Sequence, residues 1–132
     1  MTQLDRRELA AVALGGAAGA LLRVWLVTQF AASGLRWPWV TLAVNVAGAM
    51  ALGYFATRLA ERLPQSTYRR PLLGTGFCGA LTTFSTVQVE LLKMLEHGRY
   101  GLAAGYGATS VLLGYLGVWV ATAAVRRTRV LV

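Results

Sequence analysis

Residues 74–86 read Gly74-Thr75-Gly76-Phe77-Cys78-Gly79-Ala80-Leu81-Thr82-Thr83-Phe84-Ser85-Thr86, three glycines followed by four hydroxyl side chains around a phenylalanine. The run lies inside an uncharged stretch, Pro71 to Val89, of nearly membrane-spanning length. In hydrocarbon each unpaired backbone group costs several kcal/mol, roughly, so irregular chain at that depth survives only against protein, water or an ion. The run therefore predicts both a broken third span and a functional site at the break.

Outward from it, three further uncharged stretches run from Leu9 to Leu22, Trp37 to Thr57 and Tyr100 to Val125. Of the 132 residues, 56% are hydrophobic and 14% charged, and mean hydropathy is +0.54. A soluble domain is a poor fit to these values. About 20 apolar residues cross a hydrocarbon core, so the expected fold is an all-α membrane protein forming one domain over 1–132. Its four spans are read at about 9–32, 37–61, 70–96 and 100–125, joined by short loops at Ser33–Trp37, Arg62–Arg69 and His97–Arg99. No short apolar stretch with an Ala-x-Ala site precedes the first span, so no cleaved signal peptide is expected.

The formal net charge of +8 does not indicate nucleic acid, because the basic residues cluster at span ends. Four crossings put both termini on one side, and that side collects Arg6, Arg7, Arg58, Arg62, Arg69, Arg70, Arg126, Arg127 and Arg129. The other side has Arg36, Lys93 and Arg99. This bias predicts cytoplasmic termini in a plasma membrane. Trp37, Trp39, Tyr68 and Tyr100 suit the interfacial belts. A lone cysteine, Cys78, excludes an internal disulfide, and a single histidine, His97, leaves no nucleophile–base–orienter set, so an enzyme is not expected.

Polar residues within the spans each need a partner or a purpose. Asn45 sits mid-span with Thr41 one turn earlier; Tyr106 and Ser110 share a helical stripe that continues to Gly114. Arg23 lies inside the first span and Glu90 about one turn past the break, each suited to a buried pair or a vestibule. At the break, the glycines offer unusual backbone angles and exposed carbonyls for a hard cation such as sodium. Thr82, Thr83, Ser85 and Thr86 offer hydroxyl donors to an anion, and Phe84 offers a positive ring edge. Gly15 and Gly19, and again Gly101 and Gly105, are four apart, a spacing that predicts close helix packing.

Three stretches, Gly15 to Arg23, Trp39 to Gly48 and Gly76 to Thr86, resemble the signature stretches of the CrcB/Fluc fluoride channels. The resemblance extends over essentially the whole chain. It implies an antiparallel, dual-topology dimer whose broken third helices cross at the membrane centre around a structural sodium ion, held by the backbone carbonyls of Gly79 and Thr82. It further implies a fluoride path along Asn45, Phe84, Ser85, Thr86, Tyr106, Ser110 and Thr41, with Arg23 and Glu90 in vestibule or supporting positions. Fluoride would leave the cell passively.

Two positions depart from the family pattern: Val87 stands where a second pore phenylalanine is common, and Gly114 where a serine is expected. The nine-to-three charge bias also disagrees with insertion in both orientations. A heterodimer with an inverted paralogue is therefore expected in preference to a homodimer. The alternative reading, a small dimeric proton-coupled multidrug exporter, needs a carboxylate in the first span, and there is none between Glu8 and Glu61. A purely packing subunit would leave the break and Asn45 unexplained.

Overall fold

The first helix starts where its sequence supplies a cap. Asp5 accepts a hydrogen bond from the Arg7 amide at 3.0 Å and opens α1, Arg6–Gln29. Pro38, which lacks an amide proton, stands just before α2, Trp39–Glu61, and its carbonyl takes the Leu42 amide. A computed structural model describes residues 5–30, 36–61 and 68–128. Arg62 and Arg129, two of the nine basic residues assigned to one side, lie outside the described residues.

The stretch expected as the third span is built from unlike pieces. A π-helix covers Arg70–Cys78, with Pro71 in its first turn, and passes into a single α-helical turn, α3, Gly79–Leu81. Thr82 and Thr83 are then extended, at φ −76°, ψ 147° and φ −144°, ψ 109°. Helix α4, Phe84–Glu96, starts afresh from the Thr83 side chain. It ends in a glycine turn: Gly98 adopts φ 70°, its amide reaches the Leu95 carbonyl at 3.0 Å, and the Arg99 amide reaches that of Met94 at 2.8 Å. Helix α5, Tyr100–Arg127, completes the chain.

The described residues are all-helical, with no strand, and α1, α2 and α5 are each long and apolar enough to cross a membrane. At 24 residues α1 is about 36 Å long, against roughly 30 Å of hydrocarbon.

Cross-contacts give each element its direction. Arg7 meets the Tyr68 hydroxyl at 3.4 Å, Gly15 approaches Leu72, and Gly19 approaches Phe77 and Leu81, so α1 and the π-helix run parallel. Gly117 meets Val46 and Met50, Thr57 meets Thr122, and Arg126 pairs with Glu61 at 2.9 Å, so α2 and α5 also run parallel. Between the pairs the sense reverses, since Gly74 lies by Leu52, Asn45 by Thr83 and Thr41 by Glu90. The order is up, down, up, down. The start of α1 and the end of α5 therefore share one end with Arg58, Arg69 and Arg70, while Arg36, Lys93 and Arg99 lie at the other.

Small residues make the closest contacts, though only some of those expected. A Cβ on Gly15 would sit 2.1 Å from the Leu72 carbonyl oxygen, and one on Gly19 would sit 2.3 Å from that of Phe77. The α hydrogens of both glycines thus point at carbonyls of the π-helix, as in weak Cα–H···O contacts. Gly76 answers from the other side, 2.7 Å from the Val12 carbonyl by the same measure. Gly101 does not pack as its spacing suggests: nothing lies within 4 Å of its Cβ position, and Gly105 touches only the Trp37 ring. Four-residue spacing marks a face capable of close approach, and the α2–α5 contact uses Gly53 of α2 and Gly117 of α5 instead.

The expectation that Gly74, Gly76 and Gly79 form the irregular part is also corrected. All three are helical, and Gly98 is the only described residue with positive φ. At Gly76 the glycine serves close approach between helices, not freedom of backbone angle.

Candidate functional site

The site is assembled where α2 crosses the two extended residues. The Thr82 amide still closes on the Cys78 carbonyl at 3.1 Å, but Thr83 leaves the helical ladder, so its backbone groups need outside partners. Asn45 supplies both for Thr83: its Oδ1 accepts the Thr83 amide at 2.8 Å, and its Nδ2 donates to the Thr83 carbonyl at 3.2 Å. The side-chain amide pairs with Thr83 as a neighbouring strand would. One Nδ2 hydrogen is left over. Gly48, one turn along α2, admits Thr82, whose Cγ2 would lie 2.5 Å from any Cβ there.

On the α4 side, Thr83 is the N-cap. Its Oγ1 accepts the Thr86 amide at 3.2 Å and lies 2.9 Å from Thr86 Oγ1 and 3.2 Å from Ser85 Oγ. Thr83 is buried at 6% exposure, while Ser85 is exposed and Thr86 half-buried. Phe84 projects outward, 75% exposed. The sequence offered Thr83 only as one of four hydroxyls at the break; the structure makes it the residue that joins Asn45 to Ser85 and Thr86. The Thr82–Thr83 pair beside a mid-span asparagine was the available signal.

On the α3 side, the Thr83 amide would ordinarily return to the Gly79 carbonyl, but Asn45 has taken it. The Thr82 hydroxyl donates to the Cys78 carbonyl at 3.1 Å and approaches that of Gly79 at 3.4 Å. Gly79 is exposed and Thr82 half-buried. Carbonyl oxygens released at a helix C-terminus, on its negative end, are the donor set a hard cation accepts. The residues present thus fit sodium. Among the described residues, no group of His, Cys, Asp or Glu offers another metal site.

A second polar cluster lies deeper. Glu90 accepts from the Thr41 hydroxyl at 2.7 Å through Oε1 and from the Tyr106 hydroxyl at 2.5 Å through Oε2. Tyr106 is fully enclosed, with Trp37 edge-on at 5.8 Å between ring centroids. Arg23 does not pair with Glu90; it is half-buried, and its Nε meets no hydrogen-bond partner. Ser110 Oγ, also buried, meets none either. Val87 lies at 6% exposure in a core of Leu42, Met94, Ala103 and Tyr106. Gly114 has open space around its Cβ position.

Fold and site define a small multi-pass membrane protein organised around one broken helix and the polar groups that hold the break. A family model described as "CrcB-like protein, Camphor Resistance (CrcB)" matches residues 10–122, and the chain belongs to that family. It is 62% identical over 130 residues to a fluoride-specific ion channel, FluC 1, of Mycolicibacterium paratuberculosis, covering 98% of each chain. The FluC 1 channel of Mycobacterium tuberculosis is 59% identical over 130 residues, again covering 98% of each. A FluC channel of Acidobacterium capsulatum is 43% identical over 112 residues, covering 82% of this chain and 87% of its own.

Proposed function

We propose that this chain is one subunit of a passive, fluoride-selective channel that lowers cytoplasmic fluoride by letting it leave down its gradient. The observation that carries the reading is the Asn45–Thr83 pairing. It holds a helix break open within the membrane and gathers one spare amide hydrogen and the Ser85 and Thr86 hydroxyls around Thr83, next in the chain to the outward-facing Phe84. Fluoride is strongly hydrated, so a selective path replaces water with neutral donors that bind it loosely enough to release it. Ser110, buried one turn beyond Tyr106 on α5, continues that path. Thr41 and Tyr106 support it by holding Glu90. Arg23 draws the anion into a vestibule.

The break also argues for a second subunit. Gly79, Phe84 and Ser85 are exposed around it, and lipid there would leave polar backbone unpaired. An inverted copy crossing at the third span covers this surface and brings a second set of Gly79 and Thr82 carbonyls to a shared sodium ion. The one-sided charge favours cytoplasmic termini and a paralogue of opposite bias as partner. The names FluC 1 and FluC 2 carried by relatives support such pairing.

Proteoliposomes loaded with fluoride or chloride test the function. Rapid fluoride efflux with chloride retained is expected, and equal passage of both anions would overturn selectivity. Replacing sodium with a large organic cation should abolish the flux. Expressing the chain alone and mapping its termini tests the pairing; a roughly equal mixture of orientations with full flux would refute it.

A further inference from the structure

The hydroxyl of Thr83 has a fixed hydrogen-bonding capacity: one proton and two lone pairs. One lone pair is taken by the Thr86 amide at 3.2 Å. One proton and one lone pair remain for two hydroxyl neighbours, Thr86 Oγ1 at 2.9 Å and Ser85 Oγ at 3.2 Å. Thr83 must therefore donate to one of them and accept from the other. The neighbour that donates into Thr83 has its own proton engaged. The neighbour that accepts from Thr83 keeps its proton free.

We propose that the Thr83 hydroxyl is a rotary switch that decides which of Ser85 and Thr86 presents a free O–H to the permeating anion. The proposal rests on the fluoride reading above and adds a positioning residue to it. When the Thr83 proton points to Ser85, Thr86 donates inward and Ser85 offers its proton outward. Turning the Thr83 O–H toward Thr86 reverses both roles. No covalent bond breaks; the three hydroxyls only rotate. An anion is then passed between adjacent donors as the network flips, and the two donors serve in turn.

Two features suit Thr83 to this task. Its burial keeps bulk water from supplying a substitute proton or lone pair. The Asn45 pairing fixes its backbone on both sides, so the side chain turns about its own C–O bond without moving the helix start. Ser85 and Thr86 differ in depth, one exposed and the other half-buried, so exchanging the donor moves the favoured anion position.

The test compares Thr83→Ser, Thr83→Asn and Thr83→Val in proteoliposomes, with thermal midpoints measured in parallel. Serine keeps the rotor. Asparagine keeps the helix cap but puts donor and acceptor on separate atoms, which removes the switch. Fluoride flux is expected within about three-fold of wild type for Thr83→Ser, and about ten-fold or more below it for Thr83→Asn and Thr83→Val. Thr83→Asn should retain the wild-type thermal midpoint, so a folding defect in Thr83→Val leaves the comparison decisive. Wild-type flux through Thr83→Asn would overturn the switch alone, and so would a Thr83→Ser variant as impaired as Thr83→Val. Absence of fluoride flux from the wild-type protein would overturn the channel reading itself, and the switch with it.

Discussion

Replacing Asn45 by leucine separates the two tasks of this side chain. Leucine has the same number of side-chain heavy atoms, branched at the same carbon, but leaves the Thr83 amide and carbonyl without the partners they have at 2.8 and 3.2 Å. Each stranded backbone group costs about 1–3 kcal/mol, so Asn45→Leu should lose about 2–6 kcal/mol. That is a large part of a typical stability of about 5–15 kcal/mol. Asn45→Asp keeps the acceptor for the Thr83 amide and loses only the donor to the carbonyl, about 1–3 kcal/mol, while placing a negative charge beside the anion path. The two variants should therefore rank oppositely. Thermal unfolding in detergent should place Asn45→Leu lowest, by on the order of 10 °C, with Asn45→Asp between it and wild type. Fluoride efflux per correctly folded protein should be abolished in Asn45→Asp by repulsion. Wild-type melting of Asn45→Leu would refute the pairing as the support of the break, and undiminished efflux through Asn45→Asp would refute its place on the path.

Gly19→Ala drives a methyl group to within 2.3 Å of the Phe77 carbonyl, against backbone that cannot yield, so expression and thermal midpoint should both fall. Gly101→Ala, in open space, should leave them unchanged or slightly raised, since alanine favours a helix by about 1 kcal/mol over glycine. Tyr106→Phe leaves Glu90 with the Thr41 hydroxyl as its remaining donor among those described, and should lower stability by about 1.5–3 kcal/mol as well as reduce fluoride flux. Val87→Phe puts the common family residue into a filled core and should destabilise by about 1–3 kcal/mol when measured by melting; an unchanged midpoint would show that the ring swings outward instead.

Much of this architecture was legible because apolar run length and charge placement act over whole spans. The up-down-up-down order follows from four runs with short loops, and the site region follows from polar residues that hydrocarbon penalises one at a time. Within the third span, local reading reached its limit. Glycine at 74, 76 and 79 suggests conformational freedom and equally suggests lack of bulk. Only the position of Val12, Gly15 and Gly16 on another helix decides for bulk at Gly76. The break falls at Thr82–Thr83 because Asn45, distant in sequence, outcompetes the Gly79 carbonyl for one amide. The same limit applies to the charged residues. Arg23 and Glu90 looked like potential partners, yet Glu90 is satisfied by two neutral hydroxyls from α2 and α5 and Arg23 is left without it. Paired with each other the two charges would cancel; apart, the carboxylate is held by hydroxyls from α2 and α5 and the guanidinium stays on α1. Sequence alone displays the two charges; only the packing of α2, α4 and α5 shows that neutral hydroxyls, and not the guanidinium, hold the carboxylate.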